Sequence, residues 1–158
     1  MNLPIEEFAR KANSSIGGAS EDQQLKIKSI RLPSDLEAIF TTNWLNKYGQ
    51  IEAVEIYDID SICEEISEED IKKISQAGLL PFGKAPNGDI LVVNFKKETY
   101  PVGFIQLAEW NVSSPPKENA FIQISESIDC FMRRAIEKRS LWGRLTGKFN
   151  LPCDSYDV

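Results

Sequence analysis

The sequence predicts a single α+β domain: a mixed, mostly antiparallel β-sheet flanked by helices. Three observations predict it. Residues 79–107 read as three short strands joined by two tight turns. Asn87-Gly88, set between apolar runs, accepts the positive φ values that a hairpin turn needs. Ile128, Phe131, Met132, Ala135 and Ile136 recur at i, i+3, i+4, i+7 and i+8, one apolar stripe of a helix. Leu36, Ile39, Phe40 and Trp44 give a second helical face, behind a Ser34…Glu37 pattern that reads as a capping box. A chain of 158 residues is long enough for one well-buried core and short for two, so residues 1–158 form one domain.

The elements follow in order. Residues 5–11 read as a short helix. Residues 13–20 are small or polar except for Ile16, which reads as a joint. Residues 25–30 alternate apolar and basic, which predicts a short exposed strand. The helix from Ser34 stops at Gly49. Residues 51–57 read as one strand with a wet side, and residues 58–66 as a helical turn. Ser67-Glu68-Glu69-Asp70 repeats the capping pattern and opens a helix ending near Gly78. Its first-turn carboxylates oppose the positive end of the helix dipole. Residues 90–93 are apolar on both faces, as in a strand covered on both sides. Pro115-Pro116 marks a loop, residues 121–124 a last strand, and Gly143, Gly147 and Pro152 break the tail.

Composition narrows the function. No apolar run is long enough to span a bilayer. The start lacks a basic region followed by an apolar one, so secretion is not expected. Cys63, Cys130 and Cys153 are odd in number and scattered, which predicts reduced thiols in a cytoplasmic protein. The sequons at Asn13 and Asn111 then carry no meaning. The chain has no histidine, which removes the usual general base, the Ser-His and Cys-His pairs and the commonest metal ligand. No metal or other cofactor is expected.

Two motifs fail on inspection. Residues 78–85 match the phosphate-loop pattern until Ala85, which lacks the hydroxyl for magnesium. Pro81 also removes an amide, and the segment runs from helix to strand rather than the reverse. Asp58, Asp60 and Glu69 fall on calcium-loop positions, but Ile62 stands where an oxygen ligand belongs and Cys63 takes the glycine turn.

Charge is the remaining signal. Between Tyr48 and Ile71 stand nine carboxylates and no Lys or Arg: Glu52, Glu55, Asp58, Asp60, Glu64, Glu65, Glu68, Glu69 and Asp70. The other residues hold 15 acidic and 18 basic groups, so the net charge of −6 comes from this segment alone. Arg133, Arg134, Lys138, Arg139, Arg144 and Lys148 form a basic counterweight facing only Glu137. Such polarity steers a partner of opposite sign; the plainer reading is two solvated helix faces. Paired carboxylates among Glu64, Glu65, Glu68 and Glu69 can in principle hold a general acid and base, but charge-rich helices normally face water. Trp44 and Trp142 read as packing residues. Trp110, beside the Pro-rich loop, is a better candidate for a contact surface, against which stands a simple packing role. The acidity, and a basic cluster without interleaved aromatics, argue against nucleic acid as a partner.

The motifs also stand in a recognisable order. Leu32-Pro33-Ser34-Asp35-Leu36 with Ile39-Phe40 comes first, then residues 51–66. Leu79-Leu80-Pro81-Phe82-Gly83 with Asn87-Gly88-Asp89 follows, and residues 121–132 close the series. In this the sequence resembles the SUKH superfamily, the Smi/Knr-type domain, over about residues 32–135. It departs at Lys47-Tyr48-Gly49, where that family often has Asn-Gly-Gly. The resemblance implies an α+β fold. For a bacterial member it implies a cytoplasmic, non-enzymatic immunity protein that binds a toxin domain, often a nuclease, and blocks it. The alternative is a regulatory adaptor of the fungal type linked to cell-wall synthesis. Joined to the charge, the resemblance makes Glu52, Asp58, Asp60, Glu64, Glu65, Glu68, Glu69, Asp70 and Trp110 the expected partner-binding residues. A toxin with a basic surface is the expected partner, and no membrane is involved.

Overall fold

Residues 2–137 are described by a computed structural model. The basic tail from Lys138 onward, Trp142, the tail breakers and Cys153 lie outside the described residues. The N-terminal part contributes α1 (Ile5–Lys11), β1 (Ile16–Gly17), α2 (Glu21–Ser29), α3 (Ser34–Thr42) and β2 (Trp44–Leu45). Next come β3 (Gly49–Ile51), β4 (Val54–Ile56), α4 (Ile59–Glu65) and α5 (Glu69–Gln76). Strands β5 (Leu79–Lys84), β6 (Ile90–Asn94), β7 (Val102–Ile105) and β8 (Phe121–Ser125) complete the sheet, and α6 (Ile128–Ile136) follows. The main sheet has six strands in sequence order, β3 to β8, all antiparallel; β1 and β2 form a separate pair. The α+β class holds, and no parallel pairing occurs among the described residues.

Strand β6 shows why the sheet is covered twice. Side chains alternate across a strand. Leu91 and Val93 join the large core, while Ile90 and Val92 join a smaller one on the opposite face. The large core lies under α1 to α4 and α6. Phe8, Phe40, Trp44, Phe82 and Phe131 make a chain of ring contacts through it, with Phe40 and Trp44 centroids 4.6 Å apart. Trp44 is fully buried and donates its Nε1–H to the Tyr57 carbonyl at 2.9 Å. The smaller core is covered by Ile71 and Ile74 of α5 and by Trp110.

Close approach fixes β5. A Cβ at Gly83 would lie 2.4 Å from the Glu55 carbonyl oxygen, so only glycine lets β4 and β5 pair there. Pro81, which cannot donate to a ladder, stands at the bulge between Pro81 and Gly83. The segment read as a failed phosphate loop does run from α5 into this strand.

Several local expectations change. Residues 25–30 lie in helix and its cap, not in a strand. The capping box falls at the start of α2: Ser20 Oγ accepts from Gln23 N, and Gln23 Oε1 accepts from Ser20 N at 2.7 Å. Ser34 is the first helical residue rather than the cap, and Pro33 makes no side-chain cap. That helix stops at Thr42, well before Gly49, which belongs to β3. Residues 51–57 are a hairpin instead of one strand, because the chain reverses at Glu52 and Ala53. Glu68, not Ser67, precedes α5; the Ser67 hydroxyl bonds back to the Cys63 carbonyl at 2.7 Å. Cys63 is a buried free thiol, with its pKa raised by burial.

Candidate partner-binding surface

The acidic segment folds into the β3–β4 hairpin, α4 and the start of α5. These elements do not use their carboxylates alike. Asp58 is the N-cap of α4 and accepts from Ser61 N at 2.8 Å. Asp60 accepts from the Gln23 side chain, tying α4 to α2. Glu69 pairs with Lys72 at 2.7 Å, and Asp70 with Lys73 at 3.6 Å. The Lys72 partnership holds the Glu69 carboxyl below its usual range. Four of the predicted residues are thus tied to structural partners.

Glu52, Glu64 and Glu68 differ. All three are exposed, and no hydrogen bond or ion pair engages their side chains among the described residues. Glu52 also sits at φ 54°, a left-handed conformation that costs a non-glycine residue roughly 1–2 kcal/mol. Glu65 is half-buried. Burial raises its pKa; Lys84 opposes that, while Glu68 and Glu64 add to it.

The register brings in residues the sequence reading left out. Gly49 pairs with Ile56, Gln50 with Glu55, and Glu55 with Lys84. Tyr48, just before β3, is 46% exposed; partial burial and the neighbouring Glu55 carboxylate raise its pKa. Tyr57 is buried, and burial, then Glu65, Glu55 and Tyr48, push its hydroxyl well above the usual range. Tyr48, Glu55, Tyr57 and Glu65 therefore share one neighbourhood. Glu64 and Glu68 stand near Glu65, and Glu52 lies at the tip of the β3–β4 hairpin. Nothing in the one-dimensional pattern ties Tyr48 or Lys84 to the acids. The signal lies in the hairpin register, and the Glu52-Ala53 turn carries no Gly or Asn to announce it.

Trp110 does not join this surface. It is 7% exposed, packs in the smaller core with Ile71, Ile74 and Val92, and donates its Nε1–H to the Ser114 carbonyl at 2.9 Å. Its expected contact role is replaced by a packing one. The basic counterweight is also reduced. Arg133 pairs with Asp129 at 3.0 Å, and Arg134 is buried, donating to the Ile124 carbonyl at 3.1 Å.

The surface can attract and orient a cation-bearing partner. The neighbouring cleft between α2 and α5, about 330 Å³, is lined by Ser29, Ile30, Ile66, Lys72, Ser75 and Gln76 rather than by the carboxylates. No group of three or more Cys, Asp or Glu side chains placed to hold a metal ion occurs among the described residues. Among them, no helix is long and apolar enough to cross a membrane. No protein-family model matches the chain, and no curated protein does.

Proposed function

We propose that this chain is an immunity-type protein of the SUKH kind, which neutralises a toxin domain by covering its working surface. The single observation that carries the reading is the set of exposed carboxylates Glu52, Glu64 and Glu68, whose side chains no hydrogen bond or ion pair engages among the described residues. A nuclease holds phosphates in a basic groove, and an acidic face of this kind complements such a groove. Steering by unpaired charges raises the association rate, and exclusion of substrate by a standard-sized interface needs no chemistry from the inhibitor. The six-stranded antiparallel sheet with flanking helices supports the family reading at the level of fold class.

Cytoplasmic residence belongs to the same reading. Cell fractionation tests it. The functional test is co-expression with the product of the adjacent gene. Growth rescue and co-purification are expected. A neighbour that is harmless alone and does not co-purify would remove the immunity reading and leave the regulatory adaptor.

A further inference from the structure

The Asn87-Gly88 turn does more than reverse the chain. Asn87 is exposed, in the five residues between Lys84 and Ile90. Its Oδ1 accepts from Asp89 N at 3.1 Å, and its Nδ2 donates to Asp89 Oδ2 at 2.9 Å. The other Asp89 oxygen, Oδ1, accepts from Leu107 N at 3.1 Å. Leu107 opens the loop that carries Trp110 over the smaller core. One carboxylate, oriented by the Asn87 carboxamide, thus latches this loop to the β5–β6 turn.

We propose that Asn87 is a site of spontaneous modification, in which ring closure with the Gly88 nitrogen and hydrolysis convert it to aspartate or isoaspartate and unlatch the Trp110 loop. This is the sequence's one Asn-Gly pair. Gly88 has no side chain to shield its nitrogen, and at φ +91° the backbone already occupies a conformation that glycine tolerates best. The hydrogen bond from Asp89 N to Asn87 Oδ1 draws electron density from Cγ, the atom to be attacked. Gly88 N–H donates to the Ala85 carbonyl at 2.9 Å, which slows the attack. That bond lies in an exposed turn, where local opening costs least.

The steps balance. Base removes the Gly88 amide proton. The nitrogen attacks Asn87 Cγ, the N–Cγ bond forms, the Cγ–Nδ2 bond breaks, and Nδ2 leaves as ammonia after taking a proton. Water then opens the succinimide. Attack at Cγ gives aspartate with the original backbone. Attack at the main-chain carbonyl carbon gives isoaspartate, with one more backbone atom in the turn. Either product replaces the donor to Asp89 Oδ2 with a carboxylate. Like charge turns Asp89 away, and its bond to Leu107 N is lost.

The test incubates the full chain in mildly alkaline and mildly acidic buffer, then maps position 87 by peptide mass and isoaspartyl methyltransferase labelling. Amide exchange at Leu107 is followed on the same samples. The alkaline sample is expected to accumulate modification at position 87 ahead of Asn13 and Asn111, with Leu107 exchanging several-fold faster. Asn87→Gln, which would need a six-membered ring, is expected to match its own fresh sample after the same incubation. Modification in the denatured chain but not in the folded one would overturn the proposal, since the turn would then protect Asn87. Modification with unchanged Leu107 exchange would overturn the latch.

Discussion

The two faces of the sheet are built to different depths. On one, five helices press an aromatic chain running from Phe8 through Trp44 and Phe82 to Phe131 against the strands. On the other, α5 and the Trp110 loop cover a smaller cluster. The deep face fixes the fold. On the thin face, α5 turns Ile71 and Ile74 inward while Glu69 and Asp70 stay in water beside Glu68. Glu68, at the start of α5, edges this thin face, whereas Glu64 lies on α4 and Glu52 in the β3–β4 turn, both packed on the deep face, so the candidate partner surface draws on elements of both.

Core truncations break or sharpen this comparison most strongly. Phe82→Ala removes a fully buried ring that touches both Trp44 and Phe131. It should destabilise by about 5 kcal/mol, the upper end for such changes. Trp110→Ala should cost about 3 kcal/mol, the lower end, because its loop can settle into the vacated space. Denaturant unfolding of both variants checks the order; a larger loss at Trp110 would reverse the assignment of depth.

A smaller effect is expected at the seam between the β6–β7 turn and α3. Tyr100 donates to Asp35 Oδ1 at 2.6 Å, and burial, then this bond, push its hydroxyl up to about 12 from an ordinary 10.0. The folded state favours the protonated phenol. Its contribution is therefore complete below pH 10 and is lost as pH rises through about 12. Tyr100→Phe should cost about 1.5 kcal/mol at neutral pH and flatten the alkaline fall in stability. Unfolding curves across alkaline pH measure both.

The smallest effect belongs to α2, at the margin of the deep face. Ser20→Ala removes one half of the capping box, and a loss of about 1 kcal/mol is expected. An unchanged midpoint in the same unfolding assay would mean that burial of Ile27 alone holds the helix.

Legibility in the sequence follows the same divide. Strands β5 to β7 and α6 were readable because apolar periodicity and turn residues agree at each of them. α2 was misread because Leu25 and Ile27 alternate with lysines; in the helix Ile27 is buried and Leu25 is 65% exposed. The cap that announces it, Ser20 with Gln23, lies at the end of a stretch whose small residues read as loop. At α3, the Asp35 carboxylate is held by Tyr100, 65 residues away, which local reading does not reach. The acids of the site were plain in one dimension. Which of them are free was not, because Lys72, Lys73 and Gln23 claim their partners only after folding.

The central claim is that unpaired negative charge guides a basic partner onto this face. Rapid-mixing association of the chain with the adjacent gene product, across a range of salt concentrations, tests it directly. Reversing Glu64 and Glu68 to Lys should slow association at low salt at least tenfold and flatten its salt dependence. The same rate and the same salt slope in that variant would contradict the account.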